Sequence, residues 1–139
     1  MAVLAWTVAS GLLAIAAMHL YWAAGGRYGS AAAVPEEDGR PLFEPGMGVT
    51  LAVAALLVVA ALLVLDRAQV IPSILAPPLA RLGTWGVAAV LTARAIGEFN
   101  YIGFFKRTRP TTFASLDTRV FSPLALALGL GAAVVAYGA

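Results

Sequence analysis

The sequence predicts an all-α integral membrane protein: a bundle of four transmembrane helices forming a single domain over residues 1–139. Three observations predict it. Hydrophobic residues make up 61% of the chain and charged residues 12%, roughly half the ~25% charged share of a soluble domain. The charges collect between long apolar runs. Those runs do not alternate as the strands of a membrane barrel would, which leaves helices to satisfy the backbone in lipid.

The first helix is expected over about 2–24, because no charge occurs from Ala2 to Gly26 and ~20 apolar residues span a bilayer. Nothing basic precedes it, and it outruns the apolar core of a cleaved signal peptide, so it is expected to be retained. A polar segment follows, with Pro35, Gly39, Pro41 and the acidic run Glu36-Glu37-Asp38. That run lacks the spacing of a calcium loop and is expected to be solvated. The second helix is expected over about 46–66, entered by Pro45 and closed by Asp66 and Arg67. Pro72, Pro77 and Pro78 then hold a short hairpin open.

Only twelve uncharged residues separate Arg81 from Arg94. The third helix is therefore expected to run on through Arg94 and Glu98, over about 79–100. A loop with Lys106, Arg107, Arg109 and Pro110 leads to a fourth helix over about 119–138. Ala125, Gly129 and Ala133 recur on it at a spacing that lets another helix approach, either inside the bundle or at a dimer seam.

Four spans place both termini on one face with the 66–81 hairpin, which carries Arg67 and Arg81. The opposite face carries Arg27, Arg40, Lys106, Arg107, Arg109 and Arg119. Six bases against two predict that loops 25–45 and 101–119 are cytoplasmic. The expected location is the inner (plasma) membrane, as a multi-pass protein.

Several function classes fall away. Nine Lys+Arg and seven Asp+Glu cannot cover a soluble domain this small, which argues against a soluble enzyme or a nucleic-acid-binding domain. With no cysteine and a single histidine, disulfides, thiolate chemistry and a two-histidine metal site are out of reach. No metal, cofactor or nucleic acid is expected, and phosphate-loop, dinucleotide and hydrolase signatures are missing.

Arg94 and Glu98 are the two charges expected inside a span. Such placement costs about 2.5–3.5 kcal/mol per residue at mid-membrane, and less near an end. Four residues apart, they are expected to share a helical face and neutralise each other. His19 falls late in the first helix at the same expected depth. His19, Tyr21, Trp22, Arg94, Glu98 and Tyr101 are thus expected to converge, with Glu98 raising the imidazole pKa. The plainer alternative is a structural ion pair, a histidine hydrogen-bonded between helices, and interfacial aromatic anchors. Lys106, Arg107 and Arg109, after Phe104 and Phe105, are expected to meet lipid headgroups. Asp117 is expected to cap the fourth helix; the alternative is that it reaches Arg94 or Arg119 and joins the cluster.

These residues carry a resemblance. His19-Leu20-Tyr21-Trp22-Ala23 with Gly25-Gly26, Phe43-Glu44-Pro45, Arg94-Ala95-Ile96-Gly97-Glu98-Phe99, Tyr101-Ile102-Gly103-Phe104-Phe105-Lys106, Leu116-Asp117-Thr118 and Phe121-Ser122-Pro123-Leu124 resemble a bacterial membrane-protein family catalogued as domain of unknown function 3995. The resemblance covers most of the chain and is most specific in the third-helix segment. In the family pattern Asp is common where this chain has Glu98, and Cys is common where it has Ala125. The resemblance implies a four-helix membrane protein and no defined activity.

The expected function is binding of a hydrophobic or amphipathic ligand, or of a membrane partner, through the His19–Arg94–Glu98 cluster. The expected partners are the lipid bilayer and a lipid-like small molecule, with a homodimer or an accessory role in a membrane complex also open. A membrane-embedded enzyme acting on a lipid or isoprenoid is one rival, with His19 and Glu98 exchanging protons. A small proton-coupled transporter is the other.

Overall fold

The structure is a computed structural model, and it describes residues 1–108 and 110–139. Arg109, one of the expected headgroup residues, lies outside them. Four long helices account for most of the chain: α1 (Ala2–Ala23), α2 (Met47–Arg67), α3 (Pro77–Ile96) and α4 (Thr112–Gly138). Helices α1, α2 and α4 are long and apolar enough to cross a membrane. Arg81, Arg94, Thr84 and two prolines dilute α3.

Local sequence sets the helix ends. Gly25 stands at φ +94°, a conformation glycine adopts freely, and lets Gly26 N–H close α1 onto the Tyr21 carbonyl at 2.9 Å. The α1–α2 connection (loop one, residues 24–46) contains a small hairpin, β1 (Glu36–Glu37) antiparallel to β2 (Arg40–Pro41). Its turn is Asp38-Gly39, both at positive φ, the pair that a two-residue hairpin turn selects. Asp66, buried at the end of α2, accepts the N–H groups of Ile74 (2.9 Å) and Leu75 (3.1 Å) and so folds the α2–α3 connection.

Two boundaries differ from expectation. Helix α3 stops at Ile96, because Gly97 (φ +86°, ψ −177°) leaves the helical region. Glu98 is therefore outside the helix. Helix α4 begins at Thr112, seven residues before the expected start, with the Thr111 hydroxyl accepting Ala114 N–H at 3.0 Å. It is α-helical over Thr112–Leu116, π-helical over Asp117–Phe121, and α-helical again over Ser122–Gly138. Pro123 supplies no N–H to the ladder and its ring crowds the carbonyl four residues back. A wider π turn just before it accommodates both effects.

Helix α1 packs along α2 and α3 along α4; further contacts join α2 to α3 and α1 to α4. All four contribute to one core that includes Val8, Leu12, Val64, Ala88, Leu128 and Val135. Small residues bring the helices together. Ala5, Ala9 and Ala16 of α1 and Ala54 and Ala61 of α2 are buried. A methyl group added at Gly129 would meet the Thr92 hydroxyl at 2.9 Å, so at Gly129 the small-residue seam of α4 lets α3 approach closely. The Thr84 hydroxyl, fully buried, lies 2.8 Å from the Ala80 carbonyl and 3.1 Å from that of Leu63, tying α3 to α2.

Candidate functional site

The polar centre of the molecule is Asp117, the first residue of the π turn and fully buried. Its Oδ1 accepts a hydrogen bond from Arg94 Nη2 at 2.6 Å. Its Oδ2 accepts Gly103 N–H at 2.7 Å and Lys106 Nζ at 3.0 Å. Lys106 is 3% exposed. It also donates to the Gly103 carbonyl at 2.8 Å and to the Thr118 hydroxyl at 2.6 Å, so all three ammonium hydrogens have acceptors. One carboxylate thus joins α3, the α3–α4 connection (loop three, residues 97–111) and α4.

A tight loop delivers these partners. Phe104 N–H closes onto the Ala95 carbonyl at 2.8 Å. The Gly97 and Gly103 backbones then lie against each other, both at positive φ. A side chain at either position would overlap the other's main chain. Inside the loop, Glu98 accepts N–H groups from Asn100 (3.1 Å), Ile102 (3.1 Å) and Tyr101. The Tyr101 N–H holds the Glu98 carboxyl below its usual pKa; partial desolvation opposes this, and the other two N–H groups assist.

Among the described residues, no hydrogen bond or ion pair joins His19, Arg94 and Glu98 as expected. Glu98 is exposed and bonded to loop backbone, and Arg94 takes Asp117 as its partner. His19 is half-buried on α1, its Nδ1 2.8 Å from the Ile15 carbonyl and its ring edge-on to Trp22. Trp22 and Tyr21 organise the start of loop one: Trp22 Nε1 donates to the Tyr28 carbonyl at 2.9 Å, and the Tyr21 hydroxyl accepts Tyr28 N–H at 3.3 Å. The headgroup expectation is corrected for Lys106, which is buried; Arg107 is exposed. Asp117 follows the alternative reading and reaches Arg94.

Loop one reaches this end of the molecule too. Glu36 accepts Thr112 N–H at 3.0 Å, at the positive end of the α4 dipole. Glu37 accepts the Tyr101 hydroxyl at 3.1 Å, and that hydrogen bond raises the phenol pKa above its ordinary value. The acidic run is therefore partly used to hold loop three.

Residues 12–132 match the family described as Protein of unknown function (DUF3995). The chain belongs to that family. The matched span contains the whole Arg94–Lys106–Asp117 cluster and the loop that builds it, together with His19 and Trp22. No curated protein and no solved structure matches the chain.

Sequence reasoning passed over two features. Burial of Lys106 had no local signal, since a lysine after two phenylalanines also suits a membrane surface. A second feature lies at the other end of the helices, where an open groove of about 490 Å³ is lined by Arg67, Pro77, Pro78, Arg81, Leu82 and Trp85.

Proposed function

We propose that this chain is a plasma-membrane protein with four spanning helices in a bundle, α3 being the fourth. In this reading it works by holding an amphipathic ligand or a membrane partner, without catalysis. The observation that carries the proposal is the Arg94–Asp117 pair. An unpaired arginine near the end of a span is costly, whereas one neutralised by a carboxylate on the adjacent helix is tolerated. Arg81 lies in the second turn of α3, close enough to the other end to extend toward the interface. Twenty residues at ~1.5 Å each reach about 30 Å, the thickness of the hydrocarbon core.

The state of the central polar groups supports binding over catalysis. Asp117 and Lys106 are buried and spent on joining α3, loop three and α4. A general acid or base has to lie within reach of its substrate. Loops one and three are assigned to the cytoplasmic side by their excess of arginine.

The chain has no cysteine, so single cysteines report topology directly. Asp38→Cys and Phe105→Cys are expected to react with an impermeant maleimide from one side of sealed vesicles, and Ser73→Cys from the other. Reaction of Ser73→Cys and Phe105→Cys from the same side would remove α3 from the membrane and overturn the four-span reading. Native mass spectrometry of the solubilised protein is expected to show a retained lipid-sized adduct. A bare chain overturns the ligand reading.

A further inference from the structure

We propose that the groove lined by Arg67, Arg81, Leu82 and Trp85 binds the phosphate headgroup of an anionic amphiphile. The inference rests on α3 spanning the bilayer, because only then does its N-terminal end stand at a membrane surface. It names a site at the end of the molecule opposite the Asp117 cluster.

Charge comes first. Arg67 closes α2 and Arg81 lies in the second turn of α3. Among the described residues neither guanidinium has a carboxylate within ion-pair distance; the two salt bridges found are both made by Asp117. Asp66, next to Arg67 in sequence, is buried and turned into the α2–α3 connection, with one oxygen on Ile74 N–H and the other on Leu75 N–H. Arg67 is pre-oriented. Its Nε and Nη2 reach the Ala136 carbonyl at 3.4 and 3.2 Å, which fixes the plane of the fork and leaves Nη1 for a ligand. Arg81 is exposed and free to close over it.

Shape and polarity come second. Pro77, Pro78, Arg81, Leu82 and Trp85 follow one side of α3 from its first residue downward. The long Arg81 side chain can carry its guanidinium back toward the helix end, over Pro77 and Pro78, while Leu82 and Trp85 lie alongside and deeper. Leu82 is 69% exposed and Trp85 41%; both are surfaces for an acyl chain. Two arginines suit the several oxygens of a phosphate better than a single carboxylate. A phosphate-headed lipid satisfies both ends of this gradient, whereas inorganic phosphate satisfies one.

The test uses the full-length protein in neutral detergent, read by native mass spectrometry against phosphatidylglycerol, phosphatidylcholine and inorganic phosphate. Wild-type protein is expected to retain phosphatidylglycerol in preference to phosphatidylcholine. Arg81→Gln, at an exposed position, is expected to lower that retention about fivefold, the worth of one basic contact at an anionic surface. Arg107→Gln, on the opposite face, is expected to leave it unchanged. Equal losses in both variants, or no preference in wild type, would overturn the site. Displacement of the lipid by millimolar inorganic phosphate would overturn the amphiphile and point to a soluble phosphate. The maleimide experiment is independent: opposite-side labelling with no lipid preference sinks this inference alone, whereas same-side labelling sinks the four-span reading whatever the lipid result.

Discussion

Arg94 and Asp117, 23 residues apart in sequence, meet in an ion pair of 2.6 Å that joins the last turn of α3 to the π turn of α4. Lys106 completes it from the same carboxylate. Two cations thus depend on one buried anion, so the three members contribute unequally.

Asp117→Asn is expected to be the most damaging single change in the chain. It leaves two cations, one of them almost fully buried, without their counter-charge. Breaking a buried pair from one side costs about 3–5 kcal/mol. Thermal unfolding in detergent should show a large loss of melting temperature. Replacing the whole group, Arg94→Met with Lys106→Met and Asp117→Leu, is expected to recover most of that loss, because no charge is then stranded. A triple variant as unstable as Asp117→Asn would mean that the ionic geometry itself holds the helices.

The legible part of this architecture is the part written in runs. Charge scarcity gave α1 and α2 to within a residue or so, since lipid tolerates few exceptions and each exception marks an end. The ends of α3 and α4 depended on pairing. Arg94 and Glu98 looked like partners at helical spacing, yet Gly97 lies between them, and a glycine after a run of helix formers is a stop signal in its own right. Asp117 and Arg119 looked like the boundary of α4. Neutralisation of Asp117 by Arg94 and Lys106 lets the helix begin about two turns earlier. Charge marks a helix end only when it is unpaired, and pairing across 23 residues is a property of the fold.

Gly97→Ala and Gly103→Ala are each expected to unseat loop three. Both glycines stand at positive φ with the other's main chain where a Cβ would be. The conformational cost alone is about 1–3 kcal/mol, and the overlap adds to it. Gly25→Ala serves as the comparison, with positive φ but open space around it. Its melting temperature should fall less than that of either loop variant. Equal losses for all three would show that the contact between Gly97 and Gly103 adds nothing.

Glu98 makes loop three sensitive to acid. Its carboxyl, ordinarily at 4.5, is lowered in the fold, first by the Tyr101 N–H. A lowered folded pKa means that the charged form favours the folded loop. That contribution is complete above the ordinary value and disappears as pH falls through the lowered one. Amide hydrogen exchange at Asn100, Tyr101 and Ile102, corrected for intrinsic rates, should therefore accelerate on acidification below about 4.5. In Glu98→Gln the protection should be weaker at neutral pH and should no longer change with acid. An unchanged acid dependence in that variant would assign the effect to another group.

The Tyr101–Glu37 contact predicts a spectroscopic difference. Donation to Glu37 pushes the Tyr101 phenol above its ordinary value of 10.0. Difference spectra of wild type against Tyr101→Phe should isolate its ionisation in the ultraviolet titration. It should move down toward the ordinary value in Glu37→Gln. Stability should change little, because the contact is exposed and solvent screens it.

Lys106 separates a lock from a lipid contact. A headgroup lysine would be dispensable for folding and needed for anionic lipid; a buried strut would be the reverse. At 3% exposure, with three acceptors, Lys106 belongs to the second class. Lys106→Met removes the ammonium and leaves Asp117 paired with Arg94, so its cost should be clearly smaller than that of Asp117→Asn. The loss still exceeds a surface substitution, because the Gly103 carbonyl and the Thr118 hydroxyl each lose a charged donor, a bond type contributing about 1.5–3 kcal/mol. Arg107→Met, next in sequence and exposed, should melt within ~2 °C of wild type, as a surface change of under ~0.5 kcal/mol implies. Retention of phosphatidylglycerol should be the same in Lys106→Met as in wild type. If instead Lys106→Met melts normally and loses the lipid, the ammonium faces the bilayer and the buried cluster is the pair Arg94–Asp117 alone.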